Sequence, residues 1–252
     1  MLPPAWKVSS PRIGGGSLMS HDALIERFLE ALVSGDRDAA RGVVRDASPT
    51  LPEATDLIVD LFWPTYELIE KLNRNDQLSA LSYRMSIRLL RVLADQTSAS
   101  IVRAPSRNKR IFAVGGPTDA DDLGVQMAVD MLEANGFTVA FAGGGIPADE
   151  ILDHVHTNRP DALLMFCPSP QDLPAVRQVI DTIHEINAVP DLQIVVGGGV
   201  FNRADGLAEE IGADLWAADP LDLVDELVNH PDRKAEPEQR TVGRRRKTRT
   251  AA

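Results

Sequence analysis

The feature that most constrains this chain is an alternation in its second half, where short β-type runs take turns with helical ones five times over. The pattern predicts strands at Arg110 to Gly115, Thr138 to Ala142, Ala162 to Cys167, Gln193 to Gly197 and Asp214 to Ala217. Helices are expected at Asp122 to Ala134, Ala148 to Thr157, Leu173 to Asn187, Ala204 to Ile211 and Pro220 to Asn229. Each connection carries a helix, and a helical crossover joins parallel strands. The expected fold is therefore α/β: a flavodoxin-like five-stranded parallel sheet, order 2-1-3-4-5.

The first half has no strand signal. Leu24, Ile25, Phe28, Leu29 and Leu32 recur at three-four spacing, and a short helix follows from Arg37 to Val44. A third helical region runs from Glu53 to Asn73, with Pro64 marking a kink because proline removes one i to i−4 bond. The fourth runs from Gln77 to Ile101. The organisation expected is a disordered leader at 1–18, a four-helix all-α unit at 19–102, a linker at 103–109, the α/β domain at 110–230 and a disordered basic tail at 231–252. Met1 and Met19 both fit as the start of translation, and Ser20 is placed to cap the first helix.

Charge narrows the partners. The 252 residues carry a net −11, yet residues 231–252 hold eight Lys/Arg against three Asp/Glu, or +5, which leaves −16 for the rest. An acidic body argues against a broad nucleic-acid face, since phosphate contacts need clustered cations. Nucleic acid or an acidic partner is expected only at the tail, around Arg244, Arg245, Arg246, Lys247 and Arg249. No apolar run reaches the roughly 18 to 20 residues that span a bilayer, so no membrane association is expected and the location expected is cytoplasmic. The single cysteine, Cys167, excludes an intrachain disulfide and a cysteine-cluster metal site. His154 and His156 fall on different helix faces, so no metal site is expected there either.

Ligands of such a sheet sit beyond the carboxyl ends of its strands where the strand order reverses. Three loops converge there: Gly115 to Asp119 after the first strand, Pro168-Ser169-Pro170 after the third, and Gly197-Gly198-Gly199 after the fourth. Glycine lets backbone approach a flat ligand closely. No GxGxxG or GxxxxGK[ST] spacing is present, which disfavours nicotinamide cofactors and nucleoside triphosphates. A receiver domain is disfavoured as well, because Phe166 and Cys167 stand where its phosphoacceptor aspartate would end the third strand.

The stretches Thr118 to Gly136, Ala142 to Ile151, Pro160 to Leu164, Gly197 to Gly199 and Ile211 to Asp214 resemble, in order and spacing, the cobalamin-binding domain of corrinoid methyl carriers, methionine synthase and cobalamin-dependent photoreceptors. The likeness covers residues 110 to 230, and the helical unit resembles the cap those proteins place over the corrin ring. In that family a DxHxxG motif supplies an imidazole to cobalt; here it reads Asp119, Ala120, Asp121, Asp122, Leu123, Gly124, with Asp121 at the histidine position. Carboxylate is a harder donor than imidazole and does not simply replace it. The family's serine at the end of the third strand falls at Phe166, or at Cys167 with a one-residue shift. The glycine pair that admits the nucleotide tail is present as Gly197 and Gly198. In the cap, a tryptophan near Asn73 and a histidine segment near Tyr83 to Met85 are missing.

The resemblance thus implies a cofactor site at Thr118, Asp119, Asp121, Gly124, Phe166, Cys167, Ser169, Gly197, Gly198 and Gly199, for cobalamin or a related tetrapyrrole such as haem, with no protein histidine on the metal and no catalytic residue. Trp63, Tyr66 and Tyr83 are candidates to cover a planar ring from the cap. The function expected is regulatory or sensory, with a protein partner. The alternatives are a corrinoid carrier for methyl transfer and a ligand-free interaction module.

Overall fold

A computed structural model describes residues 20–115 and 122–235. The first helix, α1 (His21–Ser34), starts at Ser20, whose hydroxyl accepts from the Ala23 N–H, and stops at Gly35 with φ +72°. Helix α2 (Arg37–Ala47) is capped by the Asp36 carboxylate, which accepts from the Asp38 and Ala39 N–H groups. Next, α3 (Ala54–Leu57) runs through a π turn at Ile58–Phe62 into α4 (Trp63–Arg74), one continuous rod. Helix α5 (Ala80–Ser98) closes the unit.

The cause of the π turn is legible in the chain. Pro64 has no N–H to return to the Asp60 carbonyl, and His21 Nε2 lies 2.6 Å from that oxygen instead. Thr65 Oγ1 donates to Leu61 O at 2.7 Å. The expected kink is therefore a local widening of the helix, and it turns Trp63 and Tyr66 toward the second half.

Strands β1 (Arg110–Val114), β2 (Thr138–Phe141), β3 (Ala162–Phe166), β4 (Gln193–Gly197) and β5 (Leu215–Ala217) form one parallel sheet in the order β2-β1-β3-β4-β5, as the alternation predicted. Between them run α6 (Asp122–Ala134), α7 (Ala148–Asn158), α8 (Leu173–Ile186) and α9 (Leu207–Ile211), with α10 (Pro220–Asn229) last. The central strands β3 and β4 are buried along their whole length because helices cover both faces.

Alternation within β1 and β3 divides the core. Ile111, Ala113, Leu164 and Phe166 face α6, α10 and the helical cap, forming one continuous apolar cluster with Phe28, Phe62 and Leu90. Phe112, Val114, Leu163, Met165 and Cys167 face α7, α8 and α9. The cap is thus joined to the sheet through a shared core, and it roofs the carboxyl end of β3. Among the described residues no helix is long and apolar enough to cross a membrane.

Candidate functional site

The site residues that the sequence singled out separate into three groups. Thr118, Asp119 and Asp121 lie outside the described residues. Gly124, Phe166 and Gly197 come together beneath the cap, and Gly199 lines the cleft above Phe166. Cys167, Ser169 and Gly198 do not face the cap cleft.

Phe166 is the centre of the second group. A Cβ built on Gly124 would lie 2.6 Å from Phe166 Cζ and 3.0 Å from Tyr66 Oη, while one on Gly197 would lie 3.7 Å from Phe166 Cδ2. The phenyl ring therefore fills the space from α6 to β4, and only glycine fits at 124. The gap left among Trp63, Leu164, Gly197 and Leu223 is about 20 Å³, room for a single water. At Gly124 and Gly197 the rim is thus filled by the ring of Phe166.

Gly198 and Gly199 have other reasons to be glycine. Gly198 has φ +103°, and a Cβ there would lie 2.6 Å from the Cys167 carbonyl oxygen, so the crossing of β3 and β4 demands it. A Cβ on Gly199 would meet Arg203 Nη1 at 2.5 Å. Cys167 is fully buried against α7 and α8, and its thiol reaches Ser169 O at 3.4 Å. Burial pushes that thiol up to about 12, which leaves it inert. Ser169 Oγ accepts from the Gln171 N–H at 3.3 Å, an ordinary loop contact.

Above Phe166 a cleft of about 120 Å³ separates α4 from the loops after β3 and β4. Trp63, Glu67, Glu70 and Arg74 line it from the cap, with Asn202 and Arg203 opposite. Trp63 is 7% exposed and its Nε1–H has no hydrogen-bond partner among the described residues, an uncommon state for a buried donor. Burial, and after it the nearby charge of Asp219, raises the Glu67 carboxyl above its usual range. Burial also lowers the Arg203 guanidinium, and the Arg74 charge adds to this. Arg74 and Arg203 were not singled out from sequence; the spacing of Glu67, Glu70 and Arg74 on one helix face was the available signal. Tyr83 does not join the cleft lining, since its hydroxyl donates to Glu70 Oε1 at 2.7 Å.

A wider cavity of about 410 Å³ opens between β1 and β3 on the α7/α8 side, lined in part by Gly115, Ile146, Asp172 and Val176. Phe166 lines this cavity as well. The histidines make local contacts: His154 stacks on Phe112 at 4.0 Å, and His184 Nε2 lies 3.0 Å from Gly212 O. Among the described residues no His, Cys, Asp and Glu group is placed to hold a metal ion.

A helical cap packed over the carboxyl edge of a flavodoxin-like sheet, with a polar cleft between them, defines the class by architecture: a capped α/β protein. Residues 109–225 match the family model described as B12 binding domain, so the resemblance read from the sequence is borne out for the α/β half. Across both halves the chain is 22% identical to dimethylamine corrinoid protein 1 of Methanosarcina acetivorans, over 82% of this chain and 96% of the relative. It is also 22% identical to the methanol–corrinoid protein of Methanosarcina barkeri, over 78% and 76%. The solved monomethylamine corrinoid protein of M. barkeri superposes with a TM-score of 0.69 at 16% identity, covering 83% of this chain and 99% of that one, which shows the shared fold.

Proposed function

We propose that the protein is a corrinoid carrier, holding the ring between α4 of the cap and the loops after β3 and β4 without a protein imidazole on cobalt. The observation that carries this reading is the polar cleft between cap and rim, lined by Trp63, Glu67, Glu70 and Arg74 on one side and Asn202 and Arg203 on the other. The amide-fringed edge of a corrin supplies acceptors, and Arg74, Asn202 and Arg203 offer donors at the same mouth. When bound, a corrinoid supplies a cobalt that takes up and gives back a methyl group.

The cleft is smaller than the roughly 300 to 1,000 Å³ of ordinary ligand sites, so a ring enters only if the cap lifts. The polar fringe fits the ring, whereas the filled core beneath it leaves no room for a nucleotide base. Relatives named as corrinoid proteins across the length of both halves support carriage over a sensory role. A carrier presents its ring to a second protein, and the basic segment at Arg244 to Arg249 is the contact we propose for an acidic partner.

The test is retention. Full-length protein is incubated with hydroxocobalamin, methylcobalamin or haem and desalted, and the absorbance that stays with it is read. The reading expects near-stoichiometric corrinoid and no haem; protein that emerges without any corrinoid overturns it.

A further inference from the structure

We infer that Phe166 is a specificity residue that keeps the nucleotide base of a corrinoid out of the protein core, so that this chain accepts corrinoids whose lower base is absent or remains bonded to its own cobalt. The inference rests on the corrinoid reading and adds to it which form of the ligand is taken.

The geometry is that of a plug. β3 alternation aims residue 166 at the cap-side core, and its ring spans the distance between Gly124 on α6 and Gly197 on β4. These are the two positions at which the absence of a Cβ would otherwise open a passage beside the sheet. Leu164, Ala128, Ala217 and Leu223 surround what is left, and Trp63 and Tyr66 close it from above. The remaining 20 Å³ cannot hold an aromatic base larger than the phenyl ring already there. Apart from Asp219 and the Trp63 indole the described walls are apolar, so ring nitrogens and a ribose entering from the rim would give up their water with little in return. A serine or alanine at 166 would leave a glycine-flanked slot; phenylalanine removes it.

The polar groups able to hold a ring lie outside the plug, in the cleft of Trp63, Arg74, Asn202 and Arg203. A corrin would therefore rest on the Phe166 edge and the rim loops rather than being anchored by a buried tail.

The experiment compares full-length wild type with Phe166→Ala, using cobinamide, which lacks the nucleotide, and methylcobalamin. Retention after desalting and titration give affinity, and the absorption spectrum reports whether the lower base stays on cobalt. Wild type should bind cobinamide at least as tightly as methylcobalamin, and bound methylcobalamin should keep its base-on spectrum. Phe166→Ala should tighten methylcobalamin by about tenfold, with conversion to the base-off spectrum. A base-off spectrum in wild type, or methylcobalamin preferred over cobinamide by wild type, overturns the inference and leaves the corrinoid reading standing; both are read without any variant. A folded Phe166→Ala with unchanged affinity and spectrum also overturns it. Binding of methylcobalamin by the variant alone supports the plug while removing the carrier reading, and no corrinoid bound by either protein removes both.

Discussion

Arg91 of α5 and Asp122 at the start of α6 form an ion pair across the seam between the cap and the α/β domain, and Gln126, one turn further along α6, accepts from Arg91 Nη1 at 2.9 Å. Both charged side chains are mostly buried, so water screens the pair only in part. Arg91→Ala strands the Asp122 carboxylate and should cost about 2 kcal/mol in urea unfolding. Arg91→Lys should recover only part, because a single ammonium cannot serve both Asp122 and Gln126 in the fork geometry of a guanidinium. A loss below about 0.5 kcal/mol would mean that the shared apolar core alone holds the seam.

Gly124 and Phe166 should be energetically coupled. Gly124→Ala places a methyl group 2.6 Å from Phe166 Cζ, and overpacking of this kind costs about 1 to 3 kcal/mol. The same change in a Phe166→Ala background should cost far less, so that the double variant loses less stability than the two single losses summed. Additive losses would mean that α6 yields rather than the ring.

Asp130 gives the fold a pH dependence. Burial, together with the charges of Glu133 and Asp95, lifts its carboxyl to about 7 from an ordinary 3.8, and Oδ2 is buried without a partner among the described residues. The unfolded chain loses this proton near pH 4 while the folded chain keeps it to about 7, so stability falls as pH rises between these values. The full shift corresponds to about 4 kcal/mol. Partial solvent screening reduces it, and Asp130→Asn should stabilise the protein by about 1 to 2 kcal/mol at pH 8 with little effect at pH 4. Equal thermal stability of the two proteins at both pH values would contradict this.

The α/β half was legible because its signals are local. β-branched and apolar runs of four to six residues, punctuated by Gly and Pro, fix the strands, and crossover length fixes their direction. The start of α6 at Asp122 and the whole of α10 fall where the pattern placed them. The shorter α9, beginning at Leu207 rather than Ala204, reflects a tight turn through Phe201–Arg203 that composition does not mark. Pro64 was visible as an interruption, whereas its consequence was not, since the partner of the freed Asp60 carbonyl is His21, 39 positions away.

The site was harder to read for the same reason. Glycines at 124 and 197 signal close approach, yet sequence does not say what approaches; in this chain it is a phenyl ring of the protein itself. Gly198 and Gly199 answer to the Cys167 carbonyl and the Arg203 guanidinium. Arg74 on α4 and Arg203 in the turn after β4 line one cleft from segments distant in the chain, and only the docking of the cap brings them together.

The most direct test of the account uses Trp63 as a reporter of the cleft. The chain has three tryptophans; Trp216 sits partly exposed at the β5 edge and Trp6 lies outside the described residues. A Trp6→Phe, Trp216→Phe protein leaves Trp63 as the sole emitter. Titrated with cobinamide, it should lose most of its fluorescence along a saturable curve, because the proposed site puts the ring against α4. Corrinoid that stays with the protein through desalting while Trp63 emission is unchanged would put the ligand elsewhere and contradict the account.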